Sequence, residues 1–92
     1  MIADEGALCL YPVSPNPVQD FAQISFSLRD AGSVRVEVYT TDGRLVTVPV
    51  SGSYGVGDHA ETLSLQGVPA GSYTLVLTSN HSVRTQQLVV VR

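Results

Sequence analysis

The chain has no lysine and no tryptophan, a single cysteine and a single methionine, and only 14% charged residues. Each scarcity removes a class of function. A nucleic-acid groove or an anionic membrane surface is bound through clustered cations, and here the five basic residues, all arginine, are scattered over a chain of net charge −3. A lone Cys9 permits no intramolecular disulfide and leaves the redox compartment undefined; near the chain start it reads as a small apolar residue. No stretch approaches the ~20 apolar residues of a membrane span. The opening MIADEGALCLYP is acidic and lacks the basic start of a signal peptide. Nor does any segment sustain helical periodicity.

What is present is alternation. In AQISFSLR, Ile24, Phe26 and Leu28 share one face, with Ser25 and Ser27 on the other. Val34, Val36 and Val38 alternate with Arg35, Glu37 and Tyr39. RLVTVPV offers Val46, Val48 and Val50, and its Pro49 marks an edge strand because proline cannot donate to a ladder. Leu63 and Leu65 follow, then Tyr73, Leu75 and Leu77. The last segment, SVRTQQLVVVR, begins polar and ends apolar on alternate positions of both kinds, which predicts an end buried on both faces. With a short strand in ALCLYP, this makes about seven strands, starting roughly every 10 to 15 residues, the spacing of a sandwich.

The turn signals agree. Asp42-Gly43 predicts a tight primed hairpin turn with positive φ at the glycine. Gly52, Gly55 and Gly57 punctuate the next connection, Pro69-Ala70-Gly71 the one after, and Asn80-His81 forms a polar tip. Ninety-two residues with 43% hydrophobic content suffice for one core. The expected fold is an all-β, immunoglobulin-like antiparallel sandwich. In such a fold Tyr73 falls just after a corner where a tyrosine hydroxyl bonds back to upstream backbone.

Candidate chemistry is sparse. A catalytic site needs a nucleophile, a base and an orienting group, and the two histidines, His59 and His81, stand apart beside loops. His59 has Asp58 and Glu61 near it but no second imidazole or thiolate at a ligand interval, so no metal and no cofactor is expected. SGSYGVGDH is glycine-rich, yet no helix follows to present backbone N–H groups to a phosphate. Tyr11, Phe21, Tyr39 and Tyr54 remain outside the core pattern and are the residues from which a carbohydrate-stacking patch would be built. No enzyme is expected.

The ordered set YPVSPNPVQD, VYTTDGRLV, GVGDH, VPAGSY and LVVVR resembles the type A C-terminal sorting domain of the type IX secretion system of Bacteroidetes. The resemblance runs from about Leu10 to Arg92. Pro15, Asn16 and Pro17 match the family's opening motif, although Val13-Ser14 and an added proline separate them from Tyr11-Pro12. Gly43, Arg44 and Val46 match its hairpin, and Gly57 and His59 its strand start. Pro69, Ala70, Gly71 and Tyr73 match its corner, and Leu88, Val89, Val90, Val91 and Arg92 its closing strand. The prolines fix φ and remove donors, so the opening motif reads as a stiff, non-pairing way into the sandwich.

The resemblance implies a signal. Residues 1–10 would be a flexible lead containing the cleavage region, expected within Ile2 to Leu10, and 11–92 the folded signal. Leu88–Arg92, with Gly43, Arg44 and Pro69–Gly71, would form the sorting address. The expected partners are the type IX translocon and its shuttle proteins, a sortase-like peptidase and an N-terminally fused cargo, with transit through the periplasm to the cell surface. Removal of the domain would accompany joining of the cargo to anionic lipopolysaccharide. An exposed edge strand is also compatible with weak homodimers. The alternative is an immunoglobulin-like spacer or an adhesive, carbohydrate-binding module without an export role.

Overall fold

Strands form where branched and aromatic residues alternate with polar ones, because the pleat sends successive side chains to opposite faces. The computed structural model describes residues 8–80 and 82–92, and among these seven strands and no helix occur. They are β1 (Leu8–Leu10), β2 (Phe21–Leu28), β3 (Gly32–Thr40), β4 (Leu45–Tyr54), β5 (Gly57–Ser64), β6 (Gly71–Ser79) and β7 (Ser82–Val90). All strand pairs are antiparallel, in two sheets of order β1-β2-β5 and β4-β3-β6-β7. The fold is an immunoglobulin-like sandwich in which the fourth strand pairs with the third. In constant-type immunoglobulin domains the fourth strand joins the other sheet instead.

The core is what the alternation predicts. Ala22, Ile24, Phe26 and Leu28 of β2 face Val34, Val36 and Val38 of β3 and Tyr73, Leu75 and Leu77 of β6, all buried. Leu63, Leu65, Leu88 and Val90 complete it. Burying each of the larger side chains contributes about 1.5–3 kcal/mol. β1 belongs to this unit: Leu8 pairs with Leu28 and is fully buried. The expected lead over residues 1–10 thus overlaps the sandwich at Leu8–Leu10. Cys9, between two inward leucines, is exposed.

Three expectations change. β4 is an edge strand, but its register against β3 shifts twice, because Val36↔Val50 is followed by Val38↔Thr47 and then Tyr39↔Leu45. Each shift leaves an extra residue on β4, so Val48 and Pro49 fall in a bulge. Val50 is buried and Val46 packs on the core, whereas Val48 does neither. The Asp42-Gly43 hairpin keeps the positive φ at Gly43 (91°). Its loop nevertheless spans three residues, closed by Gly43 N–H to Thr40 O (3.0 Å) and Thr40 N–H to Arg44 O (2.8 Å). This is a type I turn with a glycine bulge, since a primed turn would need Asp42 at positive φ too and it is not there.

The third change concerns β7. Leu88 and Val90 are buried, while Val89 is half-buried and Val91 is 38% exposed. β7 is the edge of one layer of a two-layer sandwich, so only one of its faces meets the other sheet. The strands run between two ends. At one lie Leu8, the 29–31 connection, the Tyr54–Gly57 turn and the turn closed by Ser79↔Ser82. At the other lie the β3–β4 hairpin, the 65–70 connection and residues 91–92. These are called the Leu8 end and the Arg92 end below.

Candidate functional site

Some of the motif residues converge on the outer edge of β7, and the residue that starts the convergence is Asn16. Pro15 and Pro17 flank it, joined through cis Ser14-Pro15 and Asn16-Pro17 peptide bonds, and neither proline has an N–H to offer an edge. The Asn16 side chain carries both a donor and an acceptor, as a peptide group does. Its Nδ2 donates to Gln87 O (3.1 Å), and its Oδ1 accepts from Val89 N–H (3.2 Å). Val18 continues the pairing: its N–H donates to Val89 O (2.7 Å), and its carbonyl accepts from Val91 N–H (2.8 Å). On the other side Ser14 exchanges both backbone bonds with Gln23 of β2. The opening motif is therefore not a non-pairing segment. It is a strap between the two sheets, and it pairs because asparagine replaces the donors that proline removes.

Arg92 closes the same end. A guanidinium has five N–H donors in a planar fork, and five bonds of 2.5–3.1 Å use them. Nε donates to Val68 O, Nη1 to Gln19 O and Asp20 Oδ1, and Nη2 to Leu65 O and Val68 O. The end of the strap and the 65–70 connection are thereby held by one side chain. Leu65 N–H also donates to Asp20 O (2.7 Å). Four residues further on, Pro69 and Ala70 lead to Gly71, and the Tyr73 hydroxyl donates to Pro69 O at 2.5 Å. That is the corner bond expected of a tyrosine at this place in the fold.

Beside these ties lies a groove of about 610 Å³ lined by Pro15, Pro17, Gln19, Asp20, Phe21 and Val91. Gly43 and Arg44 are at the same end of the sandwich, on the β3–β4 hairpin, where Thr40 pairs with Tyr73. Gly57 and His59 are not. They lie toward the Leu8 end, where the His59 ring contacts Phe26 and Tyr54 and its Nε2 bonds Gly55 O (2.7 Å). Tyr54 donates to Glu61 Oε2 at 2.7 Å. That bond, ahead of burial, pushes its phenol up to about 12. His81 and residues 1–7, which include most of the expected cleavage region, lie outside the described residues.

Among the described residues, the four aromatics from which a sugar-stacking patch would be built are not joined to one another. Tyr54 is engaged with Phe26 and His59, and among the described residues no ring contact joins Tyr11, Phe21 or Tyr39. Also among the described residues, no group of three or more His, Cys, Asp or Glu could hold a metal ion, and no helix is long and apolar enough to cross a membrane. Sequence reasoning missed Val18, Gln19, Asp20, Leu65 and Val68. Most of these act through backbone carbonyls, which every residue has, so no residue-type signal marks them.

The domain is a two-layer β-sandwich with the Asn16 strap, the Tyr73 corner and the Arg92 ties at one end. Its family is explicit: the chain belongs to the secretion system C-terminal sorting domains, whose family model matches residues 12–91. Such a domain is a targeting signal for a secreted or cell-surface cargo of the type IX system, engages that machinery, and is not typically catalytic. A search of curated proteins finds no match to the chain. The matched span stops at Val91, so the role of Arg92 rests on its own geometry.

Proposed function

We propose that this domain carries an N-terminally fused cargo from the periplasm through the outer-membrane translocon, with shuttle proteins as intermediates. A sortase-like peptidase then removes it and the cargo is joined to anionic lipopolysaccharide. The family match over residues 12–91 carries the reading. The cut falls before Leu8, because Leu8–Leu10 are hydrogen-bonded to β2 and Leu8 is buried, and a peptidase needs an extended, unpaired segment. Leu88–Arg92, with Pro69–Gly71, Gly43 and Arg44, act as the address only in the folded state, since Leu88 and Val90 are core residues.

The test is a periplasmic reporter fused before Met1, expressed in a type IX-competent host and in the same host lacking the translocon. Surface arrival in the first alone is expected, and the released domain should start upstream of Leu8 by N-terminal sequencing. Equal arrival in both hosts, or in neither, overturns the export role and leaves the spacer reading. Truncation of Leu88–Arg92 is a poor test by itself, because it removes two core side chains.

A further inference from the structure

Among the exposed large apolar side chains, Phe21 (51% exposed) and Val91 (38%) line the same groove. Nothing in the fold demands an aromatic at position 21. It faces outward on β2 opposite Ser64, where a polar residue would leave the core unchanged. We infer that this groove is the docking surface for a protein of the secretion machinery, which seats an aliphatic or aromatic side chain on Phe21, Val91 and the two prolines and brings a lysine or arginine to Asp20. The inference rests on the export reading above and deepens it.

Three observations select this occupant. The groove is at the end of the sandwich opposite Leu8, so a cargo joined upstream of Leu8 leaves it open. Its walls are fixed before any partner arrives: Asn16 and Val18 are bonded to β7, and Arg92 grips Gln19 and Asp20. A pre-ordered surface loses less on binding, and about 610 Å³ suits one or two side chains. The Asp20–Arg92 ion pair balances the charge, but the hydrogen-bonding capacity it leaves is one-sided. The guanidinium of Arg92 has all five donors engaged. Asp20 is 55% exposed and gives Arg92 only Oδ1. Among the described residues the rim thus offers a carboxylate acceptor and no open guanidinium donor, which favours a donor-bearing lysine or arginine of a protein segment over a phosphate-bearing surface.

The test uses the reporter fusion in the competent host, with the thermal midpoint of each variant measured on the purified chain. Phe21→Ser is expected to lower surface arrival about tenfold or more, the scale of a buried aromatic anchor, with an unchanged midpoint. Asp20→Asn keeps an oxygen for Arg92, removes the charge, and should lower arrival about threefold, as an exposed charge pair does. Val56→Ser, 68% exposed at the Leu8 end, should change nothing. Benzoylphenylalanine at position 21 should photocrosslink to a translocon or shuttle component, with no adduct from position 56.

If the unaltered fusion is not exported, the export reading fails. If it is exported and Phe21→Ser is exported equally, only the groove proposal falls. Unchanged export of Asp20→Asn overturns the cationic partner. Two results would assign the groove to another occupant and so overturn the proposal. One is Phe21-dependent sedimentation of the chain with lipopolysaccharide vesicles, and the other is a Phe21-dependent dimer in analytical ultracentrifugation.

Discussion

The two ends of the sandwich are tied in different ways. At the Leu8 end, among the described residues, the bonds of Tyr54 and His59 are local: Tyr54 reaches Glu61, and His59 reaches Gly55. At the Arg92 end they span most of the chain: Asn16 bonds Gln87 and Val89, and Arg92 bonds Gln19, Asp20, Leu65 and Val68. The connections explain the difference. The Leu8 end is closed by short turns that carry their own geometry. The Arg92 end has to hold a ten-residue lead-in and the 65–70 connection, whose ordering entropy is offset only by isolated backbone pairings. Long-range side-chain bonds supply what the ladder does not. They also bring the Asn16–Asp20 strap, the 65–70 connection and the close of β7 together at the Arg92 end.

The largest test of that contrast is Arg92→Ala. It removes five bonds from a group two-thirds buried and leaves the Leu65, Val68 and Gln19 carbonyls to water, with an expected loss of about 2 kcal/mol by denaturant unfolding. Arg92→Lys should recover less than half, because an ammonium has three donors and no fork. Full rescue by lysine would mean that the Asp20 ion pair, not the carbonyl ties, holds this end. Hydrogen exchange should show the loss at the amides of Val18, Leu65 and Val91, with the Leu8 end unaffected.

Next in size is Asn16→Ala, expected to cost about 1 kcal/mol. It unpairs Gln87 O and Val89 N–H at an edge that water can reach. Because Asn16 and Arg92 both hold the strap, their losses should not add. A double-mutant cycle should give a coupling of at least about 0.5 kcal/mol, and strict additivity would separate the strap into two independent ties.

How much of this was legible in the sequence follows the same division. Alternation located the seven strands, Pro49 identified β4 as an edge, and Tyr73 after Pro69-Ala70-Gly71 named its own corner bond. Each of those signals is local. The bulges in β4 were hidden because an extra residue leaves no compositional mark beyond the proline itself. The two-faced apolar end of β7 misled because a hydrophobic run does not say which neighbour covers it. Val89 and Val91 lie partly against the strap and groove, not under a second sheet. Asn16 was recognisable as a motif residue but misread as part of a non-pairing stretch, since its partners are more than seventy positions away. Arg92 was flagged as part of an address, and its four acceptors, all at least 24 positions away and mostly backbone carbonyls, were invisible.

A pH experiment sharpens the Leu8 end. Tyr54 is held up to about 12, first by its bond to Glu61 and then by burial, against an ordinary value near 10. The folded state keeps the proton that the unfolded chain releases first. The contribution is therefore complete below pH 10 and is lost as pH rises through about 12. Tyr54→Phe should cost less than about 1 kcal/mol at neutral pH, as a partly exposed hydrogen bond does, and should remove this fall in stability. Absorbance titration should show the tyrosinate near pH 12 disappear in the variant, while Tyr39, raised first by burial and then by Glu37, still titrates late. An unchanged titration curve would weaken the case for a local tie here.

The smallest effect compares two asparagines. Asn16 at the Arg92 end is bonded on both sides. Asn80 at the Leu8 end has φ 54° and no side-chain hydrogen bond among the described residues. Gly32 lies against it, so that a Cβ at position 32 would clash with Asn80 Oδ1. The amide is exposed and can swing outward, whereas a side chain bonded as Asn16 is could not. Gly32→Ala should therefore change stability by less than about 0.5 kcal/mol, within the range of ordinary surface substitutions. A loss well above about 1 kcal/mol would mean that Asn80 is as fixed as Asn16. The two ends would then share a design, with asparagine side chains standing in for backbone at each.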